Sequence, residues 1–467
     1  MSDAPSSPRR PRVLFVSYVF PPAGGVGVQR VLKWSKYLPE NGWDVSVLTA
    51  SNPSVPLTDE SLLSEVPEET VVVGARTLEP GYGVKAAAAT ETTSGLMSRV
   101  KAAVRRPALA VAKTALSPDP QILWKPAAVK AGRRLLNRTP HDVIVATGPP
   151  FSSFLIGRTL ARLSGVPLVL DYRDEWSISN ANWEQRRPGP LNSARQRAME
   201  RRCLRAASLV LGTTPRGAEE FARLARDAGS RADVSYVWNG FDPDDFPPVE
   251  GDAKPDLGNG TDRLRLTFTG TLWTLNSVAG FADGLKRLTA ESPDLVARLE
   301  LVFVGRRMPA QEAMLDELAA LPCAVRRLGF VPHAEATRLM RTSDALLLPT
   351  ADVDGLERVV CAKTFEYLAA GRPIVCVTRP GDQMDAVRVS PSAVCADVRR
   401  PAEVAAAIRE LVQRFTDGSL ERGTADLTKF DRRTTAADLA RELGRFWLSA
   451  DTADIASTAA AAPTSNS

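Results

Sequence analysis

Two runs of alternating strand and helix signals, separated by a Pro/Asp/Gly-rich stretch at 243–260, restrict this chain more than any other feature. In the first run, apolar segments at 12–20, 43–49, 142–147, 167–171, 209–212 and 234–238 read as buried strands, with helical stretches between several of them. In the second, strands are expected at 264–269, 299–304, 325–328, 345–348, 374–377 and 393–395, with closing helices at 403–415 and 435–447. Apolar strands joined by helices build parallel sheets covered on both faces, and each run is long enough for one such sheet. The 467 residues therefore predict an α/β protein with two Rossmann-like domains, at 12–245 and 246–448, facing a central cleft. The segments 1–11 (Ser/Pro/Arg) and 449–467 (Ala/Ser/Thr) read as disordered tails.

Composition removes several function classes. A hydrophobic content of 44% with 24% charged residues describes a soluble globular chain, and a net charge of +5 falls far short of a nucleic-acid binder. The cysteines Cys203, Cys323, Cys361, Cys376 and Cys395 form no C-x-x-C pair and no zinc spacing, and read as reduced, mostly buried thiols of a cytoplasmic protein. The apolar run at 13–20 is too short for a signal peptide, and no run approaches a membrane span. Contact with a membrane would thus be peripheral, at the inner face of the plasma membrane. Between 92 and 141 the only acid is Asp119, whereas Arg99, Lys101, Arg105, Arg106, Lys113, Lys125, Lys130, Arg133 and Arg134 alternate with apolar residues. Such a segment suits an anionic bilayer surface; it equally suits a solvated helix or a disordered insertion broken at Pro107.

Three loops carry candidate chemistry. After the first strand, PPAGGVGVQR places Gly24, Gly25 and Gly27 ahead of a helix at 28–38, a loop whose backbone amides can approach phosphate. An NAD fingerprint would need glycine where Arg30 stands and an acid where Thr49 and Ala50 stand, which disfavours an oxidoreductase. The strand at 167–171 ends in DYRDEW, so Asp171, Arg173 and Asp174 lie where ligands of parallel sheets gather, or else form an Arg–Asp brace of the loop. In the second domain, LERVVCAKTFEYLAAGRPIVCVT predicts a helix at 361–370, stopped by Gly371 and Pro373, then a buried strand. Lys363 and Glu366, one turn apart, share the space reached by the helix's free amides. A diphosphate is favoured there, with the lysine binding it and the carboxylate accepting from sugar hydroxyls; a surface ion pair is the plainer alternative. His333 reads as a first-turn or capping residue and His141 has no partner nearby in sequence. Asp352 and Asp354 form a D-x-D pair of the kind that binds Mn²⁺ or Mg²⁺ with a diphosphate.

The K-x-x-E-Y-L-A-A-G-R-P run at 363–373 resembles the donor-site signature of bacterial family 4 glycosyltransferases of the GT-B fold. VLFVSYVFPPAGGVGVQRVLKWSKYLPENGWDVSVLT is similar to the opening of the same family. VIVATGPPFSS, VPLVLDYRDEW and WNGFDPDDF resemble further landmarks in family order, so that the likeness covers 12–447. It implies a last helix crossing back onto the first domain, and transfer of a sugar from a nucleotide-diphosphate-sugar to a hydroxyl acceptor with retention. The acceptor would be lipid-linked, as in envelope polysaccharide assembly, or a small cytosolic molecule such as a natural product. The resemblance gives Glu366 the nucleotide ribose and puts Lys363, Gly270, Gly305, Arg306 and Phe330 on the donor side. Gly24, Gly25 and Gly27, with Asp171 and Arg173, fall on the acceptor and phosphate side. Neither a cofactor beyond the co-substrate nor a metal is expected. The chain departs from the family at Arg358, where many relatives carry a glutamate, although Glu357 is adjacent. At Thr271 the basic diphosphate clamp is missing, leaving Lys363 with Arg306 or Arg307 to substitute. No first-domain histidine suits catalysis, which moves that expectation to Asp174, with Lys363 as the second catalytic residue. A GT-B partner protein that binds nucleotide without transfer is the alternative reading.

Overall fold

The computed structural model describes residues 9–83, 116–182, 189–246, 262–423 and 425–460. In the first domain, β1 (Arg12–Val16), β2 (Asp44–Ala50), β3 (Val71–Ala75), β4 (Val143–Gly148), β5 (Leu168–Tyr172), β6 (Leu209–Gly212) and β7 (Asp233–Tyr236) form one parallel sheet, in the order β3-β2-β1-β4-β5-β6-β7. β1 lies between β2 and β4, with Phe15 opposite both Val47 and Val145, so the strand order reverses there and opens a crevice beyond the carboxyl ends. Helices α1 (Val26–Tyr37), α2 (Lys125–Arg138), α3 (Ser152–Ser164), α4 (Trp176–Asn182), α5 (Pro190–Leu204) and α6 (Pro215–Ala228) accompany this sheet. The strand β3 has no counterpart in the sequence reading. It is a short edge strand with Val71 and Val72 exposed, so it lacks the two-sided burial that makes the central strands conspicuous.

The second sheet repeats the scheme. β8 (Leu264–Thr269), β9 (Leu299–Val304), β10 (Ala324–Leu328), β11 (Ala345–Pro349), β12 (Ile374–Thr378) and β13 (Val394–Asp397) follow the order β10-β9-β8-β11-β12-β13. Its helices are α7 (Ala279–Glu291), α8 (Pro293–Val296), α9 (Pro309–Ala319), α10 (His333–Thr342), α11 (Lys363–Ala370), α12 (Asp382–Val387) and α13 (Pro401–Thr416). The final helix α14 (Arg432–Ala460) leaves this domain: Ala436, Leu439 and Leu443, at helical spacing, are buried with Val13, Phe15, Val31 and Trp34 of the first. Its backbone continues to Ala460, into the segment read as a tail; alanine-rich sequence favours that continuation.

Outgoing and returning connections lie side by side. Phe241 N–H donates to Phe430 O and Arg432 N–H donates to Phe241 O, each at 3.0 Å. A Cβ on Gly240 would stand 2.0 Å from Phe430 O, so only glycine allows the crossing. The linker is anchored to α1 by Asp242, which accepts from Lys33 Nζ at 2.7 Å, Lys36 Nζ at 2.9 Å and Tyr37 Oη at 2.7 Å. Burial alone would raise the Asp242 carboxyl, but the bonds from Lys33 and Tyr37 outweigh it and hold the group far below the usual range. Across the cleft, Arg358 grips Glu175 with Nε–Oε1 of 2.5 Å and Nη2–Oε2 of 3.0 Å, and Arg216 bridges Asp382 at 2.7 Å and Asp385 at 2.6 Å.

Among the described residues no helix is long and apolar enough to cross a membrane. The part of the basic stretch at 84–115 lies outside the described residues. Lys125, Lys130, Arg133 and Arg134 belong to α2, which buries Ala128 and Gly132 on the first domain: an added Cβ on Gly132 would meet Leu160 at 2.7 Å and Leu48 at 3.0 Å.

At the start of α3, Ser152 donates to Asp119 through its N–H at 3.0 Å and through Oγ. Burial pushes Asp119 up to about 6, against the opposing effect of these bonds. The folded chain therefore holds a proton here that the unfolded chain releases near 3.8, and stability falls as pH rises between those values. Asp119→Asn is expected to flatten this slope, worth about 3 kcal/mol in full. Melting temperatures at pH 4.5 and 7.5 check it; parallel profiles for variant and wild type would refute the assignment.

Candidate functional site

α11 forms because alanine, leucine and glutamate favour helix, and it ends at Gly371, which takes the left-handed φ of 65°. Thr364, Phe365, Tyr367, Leu368 and Ala370 are buried, which leaves Lys363 and Glu366 half-buried on the remaining side. The buried amide of Gln383 secures the first turn: its Oε1 accepts from Cys361 N–H at 2.8 Å and its Nε2 donates to Thr364 Oγ1 at 2.7 Å. The next two amides, of Ala362 and Lys363, have no hydrogen-bond partner among the described residues. Free N–H groups at a helix start are the elementary anion site.

Lys363 lies over the loop after β8, with Nζ 5.0 Å from the centre of the Phe268 ring. Gly270 and Gly305 make room for it. A Cβ on Gly270 would be 2.8 Å from Nζ, and one on Gly305 would be 2.3 Å from Gly270 O; both glycines also have φ near 120°. Thr269 N–H donates to Tyr367 Oη at 2.8 Å, which fixes α11 against this loop. Burial draws the Lys363 amine below its ordinary value, with Cys361 and Glu366 opposing. Burial raises the Glu366 carboxyl, against His333 and Lys363. Neither side chain has a hydrogen-bond or ion-pair partner among the described residues. Phe330 is 60% exposed and Arg306 is exposed, whereas Arg307 turns back to Glu312, Gly305 O and Leu328 O. Of the two arginines, only Arg306 is available to a ligand.

On the first domain, Gly25 caps α1 with φ of 92° and Gly24 N–H donates to Leu57 O at 3.0 Å. Gly27 O accepts from Arg173 Nη1, so Arg173 braces the glycine loop. Asp171 does not reach the cleft. It is 0% exposed, and Arg30 Nε at 3.1 Å, Arg30 Nη2 at 3.0 Å and Thr147 Oγ1 at 2.7 Å consume its oxygens. Its place on the acceptor side is therefore corrected: as a strand residue of β5 it turns toward α1. The partner, Arg30, also donates to Val237 O, Trp238 O and Asn239 Oδ1, tying α1 to the segment that leads into the linker. Asp174, beyond the strand, is half-buried with no such partner among the described residues. Burial raises its carboxyl, Arg173 opposes, and its charge in turn acts on the Cys361 thiol at the start of α11. Asp174 immediately precedes Glu175, which Arg358 grips from the second domain three residues before Cys361, so the loop after β5 lies against the approach to α11.

The remaining candidates, His333 apart, have structural partners. Arg379 holds both acids of the D-x-D pair, Asp352 at 2.5 Å and Asp354 at 2.8 Å. No group of three or more His, Cys, Asp or Glu able to hold a metal occurs among the described residues. His141 is buried between Thr139 O and Ser46 Oγ, and His333 opens α10 exposed and without a capping bond. The departure at Arg358 is explained by Glu175, which sequence reasoning passed over because the two stand 183 residues apart. A cavity of about 320 Å³ between α6 and α12 is lined by Arg216, Trp238, Asp382, Asp385 and Lys429. It includes none of the predicted site residues.

Residues 24–240 match the glycosyl transferase 4-like domain and residues 263–414 match the glycosyl transferases group 1 domain. A D-inositol 3-phosphate glycosyltransferase of Geodermatophilus obscurus is 31% identical over 186 residues. That alignment takes in 38% of this chain and 39% of the relative, so the chain spans about two fifths of its length. Among solved structures, sucrose-phosphate synthase from Thermosynechococcus elongatus superposes with a TM-score of 0.54 at 15% identity, covering 97% of this chain and 100% of its own. An α,α-trehalose 6-phosphate synthase from Burkholderia multivorans gives 0.57 at 13% identity over 98% and 100%. With both domain models matched in order on two facing parallel-sheet domains, the chain belongs to the family 4 glycosyltransferases of the GT-B fold.

Proposed function

We propose that the chain transfers a hexosyl group from a nucleotide-diphosphate-sugar to a hydroxyl acceptor, with retention and without a metal. One observation carries the reading: Lys363, Glu366 and two amides unpartnered among the described residues gather at the start of α11, and the loop that carries Asp174 is held against the approach to this helix by the Glu175–Arg358 pair. Helix amides and an ammonium stabilise the charge that develops on a departing diphosphate, which serves the purpose a divalent ion serves elsewhere. Glu366 accepts from the ribose hydroxyls, Arg306 and Phe330 flank the donor, and Gly24, Gly25 and Gly27 line the acceptor side. Asp174, its proton affinity raised by burial, orients the acceptor hydroxyl or takes its proton. A lipid-linked acceptor and peripheral contact with an anionic membrane belong to this proposal as its outer part.

The test is a panel of UDP-, GDP- and dTDP-sugars, read by thermal shift and by sugar hydrolysis, with and without EDTA. The expected result is one donor class that raises the melting temperature and is slowly hydrolysed, with EDTA making no difference. Binding without hydrolysis or transfer would identify a nucleotide-binding partner protein instead. Activity abolished by EDTA and restored by Mn²⁺ would overturn the metal-free mechanism.

A further inference from the structure

Arg432, the first residue of α14, is 5% exposed and has no ion-pair partner among the described residues. Its Nη1 is buried without any hydrogen-bond acceptor. Only its backbone is engaged, through the bond to Phe241 O and that from Thr435 Oγ1. Buried guanidinium groups are ordinarily paired, because desolvating a charge without compensation is expensive. Burial and the nearby Arg30 accordingly draw Arg432 down to about 9, and the acids acting on it are Asp242, Glu366 and Asp245. Two of these are engaged, Asp242 by Lys33, Lys36 and Tyr37, and Asp245 by Lys33. Glu366 is not. Phe430, two residues before Arg432, packs on Phe365 beside Glu366 with ring centres 5.0 Å apart, so a carboxylate that only accepts and a guanidinium that only donates are brought to one junction, both unpaired among the described residues.

A vicinal diol is the group that satisfies both at once. Each hydroxyl can donate to a carboxylate oxygen and accept from a guanidinium N–H. We infer that Arg432 is a specificity-determining residue of the donor site, which with Glu366 grips the 2′,3′-diol of a ribonucleotide and discriminates against 2′-deoxyribose donors. The inference rests on the reading of Glu366 as the ribose-binding residue. It narrows the donor class to ribonucleoside diphosphate sugars and excludes dTDP-sugars, whose sugar lacks the 2′-hydroxyl. It also makes the donor site incomplete until the returning helix has docked.

The experiment measures affinities of the full chain for UDP against 2′-deoxy-UDP and GDP against 2′-deoxy-GDP by calorimetry, in wild type, Arg432→Met, Arg432→Lys and Glu366→Ala. Wild type should prefer the better-bound ribonucleotide over its deoxy counterpart by about tenfold to a hundredfold, the range for a hydrogen bond to a charged group. Arg432→Met should lose most of that preference while binding the deoxy form nearly as wild type does, and Arg432→Lys should restore part of it. The melting temperature of Arg432→Met should not fall, since the guanidinium it removes is unpaired; a lower melting temperature with discrimination intact would make the residue structural and overturn the inference. Discrimination kept in Arg432→Met but lost in Glu366→Ala would overturn Arg432 alone. Discrimination and affinity unchanged in Glu366→Ala, or no nucleotide bound by wild type, would remove the underlying reading as well.

Discussion

Lys363→Ala is expected to lower kcat by about a hundredfold to a thousandfold and to weaken donor binding as well. The estimate follows from what removal of one preorganised donor costs when charge develops in the transition state. On the proposed reading, the diphosphate gains negative charge at the start of α11 as the glycosidic bond breaks, where Lys363 and the amides of Ala362 and Lys363, unpartnered among the described residues, are free to meet it. These interactions strengthen from ground state to transition state, and only such interactions raise turnover. Asp174→Asn should separate the two quantities: kcat falls by about a hundredfold or more, as for loss of a general base, with donor affinity nearly unchanged. Steady-state kinetics with calorimetry of the donor checks both. A lower melting temperature in Asp174→Asn with turnover per folded molecule intact would make that residue a loop brace.

Arg30→Met should destabilise the first domain by about 3–5 kcal/mol, the usual cost of leaving one member of a buried ion pair alone. Asp171 has no solvent to fall back on, and Thr147 supplies only one neutral bond. Denaturant unfolding of the variant reports the loss. The double variant Arg30→Met with Asp171→Leu should recover much of it, because replacing both charges with apolar groups removes the orphaned carboxylate. A double variant as unstable as the single one would show that Arg30 acts chiefly through its bonds to Val237, Trp238 and Asn239.

These two residues mark where sequence reasoning reached its limit. α11 was legible because its helix formers, its Gly371 stop and the Lys363–Glu366 spacing are local. The β8–β13 alternation was legible because its strands are short, mainly apolar segments separated by helical stretches, even where Arg265 and Glu300 interrupt them and pair with each other in the core. Asp171 and Asp174 stand three positions apart; the sequence already puts the first in the strand and the second in the loop beyond it, but nothing local reveals that Asp171 is consumed by a buried guanidinium from α1. Arg30 served in sequence only as the residue that spoiled a dinucleotide motif; its partner is 141 positions away. Arg358 and Glu175 are hidden in the same manner. Arg432 was invisible for a different reason: its interest lies in an unmet hydrogen-bond donor, and no pattern of neighbours announces a missing partner.

The rung between Phe241 and Asp431 has a mechanical meaning. Two covalent connections clasped at one point act as the pin of a pair of jaws, and jaws on a pin can swing but cannot slide. Opening must then part Arg358 from Glu175 and Arg216 from Asp382 and Asp385, while whatever stands on the pin itself barely travels. Arg432 stands on the pin. On the proposed reading, the nucleotide end of the donor rides close to the axis and the acceptor is held by the moving jaws, so that each swing exposes the acceptor side more than the nucleotide.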